Sequence, residues 1–355
     1  MQCSYCFYED VSLHRLIKDY GFMSLETMKK LIDRAFELVT QGNIHFAFQG
    51  GEPTLIGLVF YEAFVNYVAE NKTSHQEVTY SIQTNGTTIN EKWASFFKAH
   101  HFLVGISIDG TPLHHDTYRF YPLKKETHKD IMAHLDLLKA YQVDTNVLSV
   151  VNNDFIDHVD EIYAYFKNHD LRYMQFIPVI PSFDDAMPYQ ALDHAHYEHF
   201  LKTVFDYWYE DIMNKRLTSI RYLDNMLLIY LGYEPESCDL KGVCSIQHVI
   251  EADGGIYPCD FYVSDNYRLG NVWNQSFSEI LQSTKAKDFI DESLVKADEC
   301  YTCPWFKLCR TGCKRRRTDT HKDAYCEVYK AFFRYADEKF KNVARMIEQG
   351  YRIDE

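Results

Sequence analysis

Ile44-His45-Phe46-Ala47-Phe48-Gln49-Gly50-Gly51-Glu52-Pro53 is an apolar, β-type run that stops in a glycine pair, an acid and a proline. Turn residues bound the run, so residues 44–48 read as a strand. The pattern recurs downstream, where residues 78–83 end in Thr84-Asn85-Gly86 and residues 103–108 end in Asp109-Gly110, and further strand-type runs cover 145–151 and 173–177. Helical stretches lie between them at 25–41, 60–70, 91–99, 129–141 and 156–169, with Ser24 as N-cap and Gly42 as stop for the first. This alternation predicts an α/β chain built on a parallel sheet or barrel. In such barrels ligands collect at the carboxyl ends of the strands, so the polar turns should ring one site. Around Pro178, Pro181 and Pro188 the rhythm stops, and a helical region is expected from about 195 to 231.

The ten cysteines are distributed unevenly: two in the first six residues, none between Cys6 and Cys238, and eight from Cys238 to Cys326. Clustering of this kind reads as metal or redox chemistry before it reads as disulfides. Cys3-Ser4-Tyr5-Cys6 has the spacing of the tail of C-x3-C-x2-C, whose three thiolates leave one iron of a four-iron cluster open. The first cysteine of that motif and the strand before it are expected to be missing, with Cys3 and Cys6 on the loop after that strand. The eight later cysteines suffice for two fully ligated sites, and their segment has few long strands and should depend on metals for order. Structural zinc is the competing reading for any C-x2-C pair.

Composition excludes several classes. The chain has 355 residues, 46% apolar and 25% charged, which allows more than one domain and a large core. A net charge of −14 argues against nucleic acid as a partner. No apolar run approaches membrane-spanning length, and Met1 leads into polar residues instead of a signal peptide, so a cytoplasmic location is expected. In this acidic chain Lys314-Arg315-Arg316-Arg317 should face water or offset the charge of a nearby cluster. His14, His45, His114, His115 and His248 lack metal-site spacing and read as core or surface residues, and Tyr207-Trp208-Tyr209 as helix packing.

Cys3-Ser4-Tyr5-Cys6-Phe7-Tyr8, Gln49-Gly50-Gly51-Glu52-Pro53-Thr54, Gln83-Thr84-Asn85-Gly86 and Val104-Gly105-Ile106-Ser107-Ile108-Asp109-Gly110 together resemble the radical S-adenosylmethionine superfamily. The later cysteines resemble its SPASM extension. With Tyr257-Pro258-Cys259-Asp260-Phe261-Tyr262, the chain resembles the anaerobic sulfatase-maturating enzymes over nearly its whole length. The resemblance implies a partial (β/α)6 TIM-like barrel over 1–190, a helical linker over 191–235 and a SPASM domain with a C-terminal helix over 236–355. It implies radical oxidation of a sulfatase Cys or Ser to Cα-formylglycine (3-oxoalanine), S-adenosylmethionine as cosubstrate, and three [4Fe-4S] clusters. The implied partners are a sulfatase segment bearing C/S-x-P/A-x-R and an electron donor such as flavodoxin or ferredoxin.

Residue by residue, the same resemblance assigns Cys3 and Cys6 to the catalytic cluster. It assigns the Tyr5 backbone, the Gly50-Gly51-Glu52 turn, Ser107, Arg119 and the Ile180 backbone to S-adenosylmethionine, with Arg119 suited to a carboxylate by its bidentate geometry. Asp260 is the implied base. Cys238, Cys244, Cys259 and Cys313 would hold the first auxiliary cluster, and Cys300, Cys303, Cys309 and Cys326 the second. A SPASM maturase of another ribosomal peptide and a non-catalytic metal-binding protein are the alternatives.

Overall fold

The computed structural model describes residues 1–183 and 192–352, so Pro188 and the expected boundary at 190/191 lie outside the described residues. In chain order the first eight strands are β1 (Gln2–Cys3), β2 (Gly42–Phe48), β3 (Gln76–Thr84), β4 (Phe102–Ser107), β5 (Arg119–Phe120), β6 (Asp144–Val151), β7 (Tyr173–Pro178) and β8 (Ser219–Ile220). Six of them form one wholly parallel sheet in the order β2-β3-β4-β6-β7-β8. All five strands expected from the sequence are in it.

The register explains the sheet's two faces. Phe46 pairs with Tyr80 and Tyr80 with Phe102, and Val104 and Val147 are among the residues buried on that same side. Helices cover them; Leu25–Leu38, for example, starts where Ser24 Oγ accepts from Thr27 N at 3.1 Å and buries Met28, Ile32 and Ala35 on one stripe. The opposite face carries His45, Ser81, Gln83, Asn146 and Gln175, all at least partly exposed. A parallel sheet is normally apolar on both faces, so a polar one marks a surface kept for ligands.

Three expectations needed correction. The helical region expected over 195–231 is two helices, His194–Met213 and Arg221–Tyr230, with β8 between them. The first closes at Lys215, whose positive φ of 57° and bonds from Lys215 N to Ile212 O and Arg216 N to Asp211 O turn the chain back into the sheet. The stretch expected at 156–169 starts earlier and is broken at His158 into Asn153–Asp157 and Val159–Asn168. Cys3 is not in a loop but ends β1, paired antiparallel with β5 so that Cys3 faces Arg119.

The cysteine-rich segment contains only short strands, β9 (Val249–Ile250), β10 (Gly255–Tyr257) and β11 (Gly270–Asn271), and short helices. Its core of Ile256, Tyr262, Leu269, Val272, Phe277, Ile280 and Phe289 packs on Ala35 and Ile44 of the sheet region. The last helix, Cys326–Glu348, instead joins the main core, with Phe340 4.8 Å and Phe332 5.7 Å from Phe205 between ring centres. Among the described residues no helix is long and apolar enough to cross a membrane.

Candidate active site

The strand ends converge as the turn residues require. Gly50 and Gly51 have φ of 93° and 53°, conformations that side-chain-bearing residues rarely adopt, and a Cβ on Gly50 would stand 3.7 Å from Tyr8 Cε1. The Glu52 carboxylate ties this turn to the end of β3: Oε1 accepts from Thr54 N and Thr84 Oγ1 at 3.1 and 2.7 Å, and Oε2 from Asn85 N at 2.7 Å. At the end of β4, Ser107 is buried and its Oγ accepts from Gln83 Nε2 at 3.1 Å. Gln83 crosses Gly105 to reach it, since a Cβ there would lie 2.1 Å from Gln83 Oε1.

Asp109, fully buried one turn further on, is the hub of this rim. Its Oδ1 accepts from Val150 N at 3.0 Å, and its Oδ2 accepts from Arg119 Nε at 2.7 Å and from the Tyr5 hydroxyl. Arg119 is itself buried, lies 5.4 Å from the Tyr5 ring centre, and points Nη1 at Cys3 Sγ, 3.7 Å away. Burial works against its charge, but Asp109 and Cys3 outweigh that, so the guanidinium is held protonated above its ordinary value. Tyr5, Arg119, Ser107 and Cys3 are therefore brought together.

Asp260 reaches the same rim from the cysteine-rich segment. Its Oδ2 accepts from Gln49 Nε2 at 3.3 Å at the end of β2, while Oδ1 accepts from Phe261 N at 3.0 Å and from the Cys259 thiol at 3.2 Å. Phe7, which begins the helix capped by Cys6, packs edge-on against Phe261 at 5.1 Å. The Tyr8 hydroxyl is pushed up by burial first and then by the charges of Asp260, Cys6, Glu251 and Cys259. Ile180 lines a cavity of about 200 Å³ with Cys238, Phe261 and Cys313. Reading the sequence did not single out Asp109, Gln49 or Tyr8 as site residues; each sits inside a motif whose neighbours it did select.

The ten cysteines are free thiols. Cys300, Cys303, Cys309 and Cys326 line one small cavity with Trp305 and Tyr329. Cys238 and Cys313 line the cavity beside Ile180, and charge on Cys313 bears on both Cys238 and Cys259 while Cys244 bears on Cys238 and Cys313. Burial is the main cause pushing Cys238 up to about 11 and Cys309 up to about 12. Among the described residues no three His, Cys, Asp or Glu side chains converge as ligands of a single ion would. Four thiols spaced around a cavity suit a cluster better than tetrahedral zinc. Cys300, Cys303, Cys309 and Cys326, which line one cavity together, have the number and donor chemistry of a fully ligated cluster.

The basic run does not face water. Lys314 lies 4.2 Å from the Phe289 ring centre, Arg315 donates to Pro181 O at 2.6 Å, and Arg317 donates to Thr311 O, Ser293 O and Gly312 O at 3.1, 2.6 and 3.0 Å. These side chains tie loop carbonyls that have no ladder partner.

Residues 1–166 match the radical SAM superfamily, and residues 238–304 match SPASM, an iron–sulfur cluster-binding domain. A cysteine-type anaerobic sulfatase-maturating enzyme of Clostridium novyi is 45% identical over 355 residues, 98% of this chain and 94% of the relative. A serine-type enzyme of Bacteroides thetaiotaomicron is 27% identical, over 94% of this chain and 86% of the relative. The solved structure of native anSMEcpe with bound AdoMet and Cp18Cys peptide superposes with a TM-score of 0.91 at 38% identity, covering 98% of this chain and 96% of the other. The cofactors of such a protein are S-adenosylmethionine, a catalytic [4Fe-4S] cluster and the auxiliary clusters of its SPASM domain. The chain belongs to the radical SAM enzymes with a SPASM extension, and among them to the anaerobic sulfatase-maturating enzymes, which oxidise a sulfatase side chain to formylglycine.

Proposed function

We propose that this enzyme acts on a cysteine in preference to a serine, within a sulfatase segment of the form C-x-P/A-x-R, and that Asp260 is its base. The observation that carries the assignment of Asp260 is its position, bonded to Gln49 at the end of β2 and directly beside the thiol of Cys259. The preference for cysteine is supported by identities of 45% and 39% to cysteine-type enzymes against 26% and 27% to serine-type ones.

In this reading Cys3 and Cys6 bind the catalytic cluster, and the Tyr5 backbone, the Gly50-Gly51-Glu52 turn, Ser107, Arg119 and the Ile180 backbone bind the cosubstrate. Cys238, Cys244, Cys259 and Cys313 bind the first auxiliary cluster; Cys300, Cys303, Cys309 and Cys326 bind the second. When bound, these groups supply a radical that takes one hydrogen atom from the substrate Cβ and an acceptor for one electron. The chain's own residues do the rest. Arg119 commits Nε to Asp109 and turns Nη1 to Cys3, which leaves Nη2 for a carboxylate, while Glu52, its oxygens already engaged, acts by holding the turn that meets the ammonium.

Asp260 takes the thiol proton. An ordinary aspartate, near 3.9, is a weak base for a thiol near 8.5. The tie of Asp260 to Gln49 Nε2 holds the carboxylate at the strand-end rim, and loss of the Cβ hydrogen atom makes the substrate thiol the stronger acid that such a base needs. Loss of one hydrogen atom, one proton and one electron gives a thioaldehyde, and water then yields the aldehyde and sulfide.

The division at 1–190, 191–235 and 236–355, a flavodoxin or ferredoxin as electron donor, and a cytoplasmic location complete the reading. The test is anaerobic incubation of the cluster-loaded enzyme with two peptides that differ only in Cys or Ser at the target, read by mass spectrometry. Faster formylglycine formation from the cysteine peptide is expected. An equal or faster serine reaction would overturn the preference.

A further inference from the structure

The two cysteine sets share a wall. Tyr329, 4% exposed, lines both the cavity ringed by Cys300, Cys303, Cys309 and Cys326 and the cavity that holds Cys238 and Cys313. Arg316, its side chain 14% exposed, reaches both sides of that wall: Nη2 is 3.3 Å from Asp323 Oδ2 and 3.9 Å from Asp239 Oδ2. Asp239 lines the first cavity and directly follows Cys238, and Asp323 lines the second. Space around the bridge is tight, since a Cβ on Gly312 would lie 2.1 Å from Asp323 Oδ2 and 3.0 Å from Arg316 Nη2.

We propose that Arg316, held by Asp239 and Asp323, is a positioning charge common to both auxiliary iron–sulfur sites, which raises the electron affinity of each. The proposal rests on the reading of the eight thiols as two cluster sites. A guanidinium keeps its charge at any working pH. In a partly dehydrated setting a fixed cation stabilises an added electron on each neighbouring cluster, one of the means by which proteins set cluster potentials. The step concerned is a one-electron transfer: the substrate radical loses the electron, the first site gains it and the second can receive it in turn. Arg316 makes and breaks no bond in it.

A purely structural tie would alter stability and leave the potentials alone. The experiment is a redox titration of the cluster-loaded full chain followed by electron paramagnetic resonance, with iron content measured for wild type, Arg316→Lys, Arg316→Gln and Asp239→Asn. Arg316→Gln should weaken the electron affinity of both auxiliary sites about tenfold, about 59 mV for one electron. Arg316→Lys should stay near wild type, and Asp239→Asn should move the first site the opposite way. Loaded Arg316→Gln with unchanged potentials, or with a shift at one site only, would overturn the proposal. If Arg316→Gln fails to load iron, Asp239→Asn decides, and an unchanged first-site potential in it overturns the bridge. Failure of the wild type to take up iron would instead count against the two-cluster reading.

Discussion

The sheet region and the cysteine-rich segment solve the same problem differently. The first holds its backbone in a six-stranded parallel ladder under a layer of buried Phe, Ile, Leu and Val, and that burial alone accounts for its order. The second has three short strands, one modest apolar core and a run of arginines that knits loop carbonyls together. Only its thiols are numerous enough to supply the missing cohesion. The difference bears on the site, because Asp260 belongs to the cysteine-rich segment while its partner Gln49 stands at the end of a sheet strand.

That contrast can be broken most severely by removing iron. With the clusters chelated, amides of residues 238–313 should exchange on the order of 10,000-fold faster, whereas those of β3, β4 and β6 should hardly change. Hydrogen-exchange mass spectrometry checks this, and the helix Cys326–Glu348 should side with the sheet because it packs in the main core. A less drastic break lies inside the sheet region. Asp109→Ala leaves Arg119 buried without its partner, which should cost about 3–5 kcal/mol in urea unfolding. The smallest expected effect comes from Gly105→Ala. Gln83 must swing off Ser107, a loss of about 1 kcal/mol, read as a roughly fivefold rise in KM for S-adenosylmethionine at little-changed kcat.

The two regions were also unequally legible. Five strands could be read because each is a run of β-type residues, four of them stopping at Gly, Asn or Asp and the fifth at Pro178. The two-residue β8 carries no such signal, and neither does the break at His158, where helical pattern continues across the kink. The strand-end turns announced a site, but Asp109 did not announce itself as its hub, since its partners Tyr5 and Val150 are 104 and 41 residues away. The expectation that the basic run faces water failed for a related reason: a local charge pattern says nothing of the carbonyls it will meet. Residue-level roles in the cysteine-rich segment came through family resemblance, because spacing alone fits zinc as well as iron.

We propose that a base from the cysteine-rich segment completes a site built by the sheet. This is tested most directly by Asp260→Asn, loaded with clusters and assayed without oxygen for both S-adenosylmethionine cleavage and formylglycine in a cysteine peptide. Cleavage should persist while aldehyde falls at least 100-fold, within the usual contribution of a general base. Aldehyde formed at the wild-type rate would contradict the account.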